Sequence, residues 1–466
     1  MFAAAALRRL AYTALLPSLV AGCAVGPNYA RPEMPSPPKY RFVADPVQAA
    51  SLADIPWWQV FDDPKLQALI RDAVTNNLDL RVAVARVEEA RARAGIAKSY
   101  LYPQVDGVAN YGLRSSSNTA ETDDTTHQSA TYGFQLAWEL DLFGRLRRQE
   151  ESAIAVALAT EQSRRGVIVT LVGDVATNYF LLRELDLQLD IARQTLRLND
   201  ETVTYFQNRL DGGVSNRLEL DRIQANRAET AAAIPSIEQQ IGIVENAISL
   251  LLGRPPGPVE RDVLLPTEEL PPPIPAGLPA ALLERRPDVV QAEQLLVASN
   301  ADIGAAKALF YPNISLTGFL GGVSGDLTSF LGGTGLVGSV GAGLLQPVFQ
   351  GGRLRRNLEV AQARYQAAVA EYQKAALNGY REVANALVSI QKLAEIRVQR
   401  QLGVTALQDA SELSRARYDS GLASYIEILT ADEQLFQQQL LLAQVRGAEL
   451  RARAELYRTL GGGWQQ

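Results

Sequence analysis

One thiol, Cys23, and one imidazole, His127, are the whole stock of cysteine and histidine in 466 residues. A Cys/His zinc site or a disulfide framework therefore cannot be assembled within one chain. Nucleophilic catalysis of the Ser/His/Asp or Cys/His kind would have to recruit His127, which lies in the polar run Ser115–Ala130 with no apolar residues to wall a pocket. A solvated loop position is expected for it. Asp plus Glu total 51, so a paired-carboxylate hydrolase is open to the composition and is opposed only by the architecture derived below. The Gly-rich stretch Gly321–Gly343 carries no Lys-Ser/Thr to hold phosphate. Lys plus Arg total 45, the formal net charge is −6, and the two signs are interspersed, leaving no basic cluster for nucleic acid. The expectation is a chain that is not an enzyme, binds no metal and needs no cofactor.

Cys23 is instead placed to carry lipid. Arg8 and Arg9 precede the apolar run Leu10–Ala21, too short to span a bilayer comfortably and suited to a signal peptide over residues 1–22. Val20-Ala21-Gly22-Cys23 resembles a bacterial lipobox, in which the thiol receives a covalent diacylglycerol, cleavage follows Gly22 and the new amine gains an acyl chain. Ala24, rather than Asp, follows the anchor, which implies the outer membrane. No later stretch reads as 18 or more nearly uncharged apolar residues, so any crossing of the bilayer is expected from strands closed into a barrel.

The elements that position these groups are written twice. Asp79–Tyr111 aligns without a gap to Asp288–Leu320, with Tyr102-Pro103 matching Tyr311-Pro312 at an offset of 312 − 103 = 209. Gly144-Arg145-Leu146-Arg147-Arg148 matches Gly352-Arg353-Leu354-Arg355-Arg356 at 352 − 144 = 208, and the register persists to Leu252-Gly253 against Leu460-Gly461. The expected organisation is a Pro-rich leader at 23–60, a first repeat at 61–253, a Pro-rich joint at 254–279, a second repeat at 280–462 and a tail at 463–466. Each repeat reads helix, hairpin, very long helix, turn, helix. Leu66, Ile70, Ala73, Asn77, Leu80, Val84 and Val87 alternate spacings of four and three, a coiled-coil seam predicted to stop at Pro103. Gly144 to about Leu210 contains no proline and, at 1.5 Å per residue, would reach roughly 100 Å. Gly352–Tyr418 repeats it, with Leu358, Ala361, Tyr365, Ala368, Tyr372 and Ala375 as its seam.

Between the helices the chain alternates with period two. Tyr132, Phe134, Leu136, Trp138 and Leu140 face one way and Thr131, Gln135, Glu139 and Asp141 the other; Val105, Ala109, Tyr111 and Leu113 likewise oppose Gln104, Asp106, Asn110 and Arg114. Asn313–Gly322 and Val337–Phe349 are the second pair, the last alternating poorly. Ser115–Ala130 and Ser324–Leu336 are expected to be external loops. Four strands cannot close a transmembrane barrel, whose smallest forms have about eight, so copies must pool hairpins.

Cys23–Tyr29 (CAVGPNY), Trp57–Ile70 (WWQVFDDPKLQALI), Trp138–Arg145 (WELDLFGR), Leu278–Asp288 (LPAALLERRPD), Pro347–Arg353 (PVFQGGR) and Leu460–Trp464 (LGGGW) together resemble the outer-membrane efflux protein family, the TolC-like channels. The likeness is strongest to the lipoprotein branch typified by OprM and NodT. It implies an α+β membrane protein: a homotrimer with a shared barrel of about twelve strands in the outer membrane and long antiparallel helices forming a periplasmic α-barrel. It also implies a periplasmic adaptor, an inner-membrane proton-driven pump of the resistance-nodulation-division (RND) type, and a passive exit duct for drugs or other small toxic compounds. The rivals are the channel of a type I protein secretion system and a trimeric surface stalk.

The resemblance assigns a gate. The turns Arg209–Gly213 and Arg417–Gly421 match the family's periplasmic tip, where Gly213 and Gly421 end the long helices and the adaptor docks. Tyr418 matches the family's bridging tyrosine, Glu219 the acid that it contacts, and Glu427 an acid of the ring that narrows the pore. Ala423 stands where an arginine would complete the lock and Thr430 where a second ring acid would, which leaves open a looser lock or substitution by Arg217 or Arg222.

Overall fold

A computed structural model describes residues 24–38, 40, 63–116, 125–261, 279–325 and 335–462. Cys23, the signal segment, Trp57 and the tail lie outside them. The chain forms two compact units, one of residues 1–33, 86–161 and 291–373, the other of 34–85, 162–290 and 374–466. In chain order the elements are α1 (Pro64–Asn76), α2 (Leu78–Ser99), β1 (Gln104–Ser116), β2 (Thr125–Leu140), α3 (Arg145–Asp211), α4 (Arg217–Leu251), α5 (Pro279–Arg285), α6 (Pro287–Ala308), β3 (Asn313–Ser324), β4 (Leu336–Leu345), α7 (Arg353–Asp419) and α8 (Tyr425–Thr459). The duplication is met element for element: α2 and α6 have 22 residues each, α3 and α7 67 each, α4 and α8 35 each.

The first unit holds one antiparallel sheet in the order β1-β2-β3-β4. Its register puts Val105 opposite Leu136, Trp138 opposite Leu316 and Phe134 opposite Leu320, while Asp106 faces Gln135 and Glu139 faces Ser315. One face is thus mostly apolar across all four strands; the other is mostly polar on β1 and β2 and mixed on β3 and β4, where Phe319, Val323, Val337 and Leu345 share it with Ser315, Thr317 and Ser339. β4, unreadable alone, joins the pattern through its partners, Leu344, Ala342 and Val340 falling opposite Ile314, Leu316 and Gly318. Two expectations are corrected. β2 begins at Thr125, so Thr125–Ala130, read as loop, pairs with β1, and His127 lies in a strand opposite Arg114. β4 ends at Leu345, before Pro347. Polar residues extend the strands because their neighbours complete the ladder, which hydropathy cannot register. Residues 117–124 and 326–334 fall outside the described set.

In the same unit the leader straps onto α6. Val25 N donates to Phe143 O at 3.1 Å, Asn300 Nδ2 to Pro27 O at 3.0 Å, and Arg31 Nε to Glu293 at 2.8 Å. Gly26 crosses the backbone of Gly304 so closely that a Cβ on it would overlap Gly304 Cα, and Ala24 lies against Gly144.

The second unit is helical, its core running through Leu66, Ile70, Val172, Val175, Tyr179, Leu182, Ile248, Val383 and Leu456. The first predicted helix is broken at Asn77, whose φ of −59° and ψ of 131° end α1. Past the break the buried stripe shifts to Leu80, Ala83, Val87 and Ala90, leaving Val84 41 % exposed; the helix stops at Ser99 instead of Pro103. The α7 stripe similarly passes through Ala376 rather than Ala375. Asn77 donates through Nδ2 to Leu251 O at 2.9 Å and accepts from Leu80 N. The second copy breaks at the matching place between α5 and α6, where Arg286 donates to Thr459 O at 2.8 Å. The offsets are 286 − 77 = 209 and 459 − 251 = 208, those of the sequence repeat. Arg286 is buried and is also held by Asp288 and Glu382, 2.6 and 2.8 Å away.

Part of α3 is apolar and long enough to span a membrane, contrary to the expectation from sequence, but half of that window is buried within the fold. The buried half is core, with Val172, Val175, Ala176 and Tyr179 at or near zero exposure. α4 carries Pro235 inside the helix, which leaves the carbonyl of Ala231 without its usual i+4 donor.

Candidate functional site

The long helices reverse at two turns closed by the same pair of backbone hydrogen bonds. Gly213 N donates to Leu210 O and Val214 N to Arg209 O, both at 2.9 Å; in the second copy Gly421 N donates to Tyr418 O and Leu422 N to Arg417 O, both at 2.8 Å. These are Schellman closures, which require a left-handed residue. Gly213 and Gly421 both supply φ of 72°.

Around the turns a small apolar cluster separate from the main core packs Phe206, Leu220, Ile223, Tyr425 and Ile428, flanked by Tyr418. Phe206 is 1 % exposed. Its ring centroid lies 4.3 Å from that of Tyr425 and 6.1 Å from that of Tyr418, and Tyr418 meets Tyr425 edge-on at 5.6 Å. Burial pushes the Tyr425 phenol up to about 12 and raises that of Tyr418, so both are neutral hydroxyls at physiological pH.

The predicted gate residues gather here, with partners of their own. Within one chain Glu219 accepts from Ser215 Oγ at 2.7 Å, and its backbone N–H is taken by Asn216, the N-cap of α4. No hydrogen bond joins Glu219 to Tyr418 among the described residues. Glu427 lies 3.5 Å from Arg417 Nε. Arg217 points to Asp221 at 3.7 Å on its own helix. The cation over Tyr418 is Arg209: its guanidinium lies 5.9 Å from that ring and 5.6 Å from the ring of Tyr205, and it donates to Tyr205 OH at 3.0 Å. Arg209 is the counterpart of Arg417, as Glu219 is of Glu427, at 417 − 209 = 427 − 219 = 208. Each turn therefore carries an arginine before the glycine and an acid after it.

The turns also expose apolar side chains that hydropathy alone did not single out. Val214, Leu218, Leu422 and Ile426 are 65, 62, 72 and 48 % exposed, and they pair across the copies, since 422 − 214 = 426 − 218 = 208. That repetition was the signal available in the sequence. Ala423 and Thr430, the two departures from the family pattern, lie just past the second turn and within α8. Cys23, the predicted lipid site, lies outside the described residues.

The sequence profile described as outer membrane efflux protein matches residues 69–254 and 278–462, one match per copy. The cation efflux system protein CusC of Escherichia coli O6:H1 is 34 % identical over 97 % of this chain and 99 % of its own length. The toluene efflux pump outer membrane protein TtgC of Pseudomonas putida is 34 % identical over 98 % of this chain and 95 % of its own. Among solved structures, the outer-membrane channel OprN superposes with a TM-score of 0.87 at 32 % identity, covering 95 % of this chain and 100 % of that one.

Proposed function

Because this chain belongs to the outer membrane efflux protein family, we propose that it is the outer-membrane exit duct of a tripartite efflux system of the RND type. It works as a homotrimer, performs no chemistry, and passes drugs or other small toxic compounds delivered by a periplasmic adaptor and an inner-membrane pump. The observation that carries this reading is the sheet: four strands with one mostly apolar face, a second face that is mostly polar on β1 and β2 and mixed on β3 and β4, and β1 and β4 as its edges. An open edge cannot be left in lipid, and a two-faced sheet suits hydrocarbon outside and water inside only once it is closed. Three copies would pool about twelve strands. CusC and TtgC carry cations and toluene in their names, so one scaffold serves unlike cargoes and substrate choice is assigned to the pump.

Cys23 bears the diacylglycerol and the N-acyl chain, a second and independent membrane attachment. The strap of Ala24–Arg31 supports it by fixing the residue after the cysteine beside Gly144, where β2 gives way to α3. The paired turns form the gate and docking tip, with Tyr418, Glu219 and Glu427 as its polar members and Gly213 and Gly421 as its hinges. Arg209 supplies the cation that Ala423 does not. The exposed pairs Val214/Leu422 and Leu218/Ile426 are the apolar knobs that the adaptor covers. Purified protein reconstituted in a planar bilayer tests the reading: discrete conductance steps are expected, and an assembled, membrane-inserted oligomer that never conducts would refute it.

A further inference from the structure

The mixed face of the sheet carries one phenyl ring among the described residues, Phe319 on β3. The register sets it in a lateral row with Asp106 on β1, Gln135 on β2 and Ser339 on β4. The next row is almost bare, Gly133 pairing with Gly321 between Val108 and Val337. Phe319 leans into that gap: a Cβ on Gly321 would stand 2.9 Å from the tip of its ring, Cζ. The ring is therefore half-buried, with glycine backbone beneath part of it and the remainder open on the side that the polar residues share.

Asp106, in the same row, is exposed and forms no ion pair among the described residues. Glu139, the other acid of this face, is already held by Arg145 at 2.7 Å. Strands lie about 4.8 Å apart, so Asp106 and Phe319, with Gln135 between them, are separated by about 10 Å. The face of a phenyl ring is the negative pole of its quadrupole and draws cations, which a free carboxylate in the same row also favours. An anion would meet that carboxylate, and a small cation without rings gains nothing from the apolar surface of Phe319. The solute that fits both groups at once has an aromatic body wide enough to span the row and a positive charge.

Resting on the reading of the chain as a water-filled channel, which turns this face to the lumen, we infer that Phe319 and Asp106 form a weak binding site for aromatic cations on the channel wall. In a trimer the site recurs three times at one level, so that a solute leaving one copy meets another across the same ring of wall. Low affinity suits the place, since passage requires a contact favourable enough to enter and weak enough to leave. The pump still selects the cargo; the site governs how long such a cargo lingers in the exit.

The test is current block in planar bilayers by the intact oligomer, with tetraphenylphosphonium as the aromatic cation and tetraethylammonium as a cation of the same charge without rings. Tetraphenylphosphonium is expected to reduce the parental conductance at the lower concentration. Phe319→Leu keeps an apolar cover on Gly321 and removes the π face; it should raise the half-blocking concentration of tetraphenylphosphonium about two- to fivefold and leave that of tetraethylammonium unchanged. Phe319→Tyr keeps the π face and should match the parent. Asp106→Asn should raise both half-blocking concentrations about twofold. Native mass spectra check that each variant is assembled. Equal block by the two cations in the parent, or parental block in either Phe319→Leu or Asp106→Asn, would overturn the site, as would loss of block in Phe319→Tyr. Should Phe319→Leu fail to assemble, Phe319→Tyr and Asp106→Asn decide by the same criteria. An assembled parent that never conducts would instead sink the channel reading on which the inference rests.

Discussion

Phe206→Ala separates the turn region from the rest of the helical unit. The ring is 1 % exposed and sits at the centre of a cluster with only four other fully buried members, Leu220, Ile223, Tyr425 and Ile428. A buried Phe→Ala change costs about 3–5 kcal/mol through lost transfer energy and the cavity left behind. The upper part of that range is expected here, because the neighbouring rings of Tyr418 and Tyr425 lose a face each. The cluster shares no member with the main core, so the cost should fall on local opening of the last turns of α3 and α7 and the first turns of α4 and α8. Converted at 1.4 kcal/mol per decade, amide exchange at 203–222 and 414–430 should accelerate by about a thousandfold to a few thousandfold. Amides around Tyr179, in the main core, should keep their parental rates. Hydrogen exchange read by mass spectrometry after peptic digestion measures both regions in one sample. Uniform acceleration of the two would refute the independence of the cluster, and unchanged exchange at 203–222 would refute the role given to Phe206.

Other changes probe the gate, the turns, the helix breaks and the anchor. Tyr418→Phe combined with Glu219→Ala, and Arg209→Ala alone, should lengthen open times or raise single-channel conductance in bilayers; parental traces from both would place the gate elsewhere. Glu427→Ala should weaken cation preference, read as a shift in reversal potential under a salt gradient, without loss of the oligomer. Gly421→Ala meets no neighbour but must hold φ of 72°, so a cost of about 1–2 kcal/mol is expected. Gly253→Ala adds to a φ of 66° an overlap with the carbonyl oxygen of Asn76 and should be the more damaging of the two in thermal melts; equal melting temperatures would contradict the close approach. Arg286→Met strands Asp288, Glu382 and the carbonyl of Thr459 and should cost about 3–5 kcal/mol, measured by denaturant unfolding against Arg71→Met at an exposed arginine on α1. Cys23→Ser should remove the acyl mass while leaving membrane insertion intact, and an unmodified thiol in the mature parent would end the lipoprotein assignment.

Where a signal is carried by local spacing, the sequence was readable. The duplication, the two 67-residue helices and the two faces of β2 follow from repeats and periods that need no knowledge of partners. Features fixed by distant groups were not. Asn77 looks in sequence like the single polar member of a coiled-coil seam, yet it breaks the helix because the carbonyl of Leu251, far along the chain, is there to receive its amide. Thr125–Ala130 has a loop's composition and becomes strand because β1 supplies the ladder. Tyr418 and Glu219 lie near the same turns, but the sequence offered Arg217 or Arg222 and not Arg209, because the way each arginine leaves its helix is not written in its position. Arg217 is turned along α4 towards Asp221, and Arg209 is turned across two tyrosine rings.

A sheet with one greasy face and two unsatisfied edges also governs how the protein comes into being. Before it meets its siblings, a newly exported chain must carry Phe134, Leu320, Val340 and Leu344, 54 to 92 % exposed, through water, beside strand edges that would pair with any extended peptide. Dilution is therefore hazardous to it, because the wait for a partner lengthens while the sticky surface stays bare. Crowding among unlike nascent strands is hazardous too, because wrong pairings compete. Yield should depend on synthesis rate with an optimum rather than a plateau, and escort proteins that shield extended apolar segments should matter more to this chain than to a helical protein of equal length.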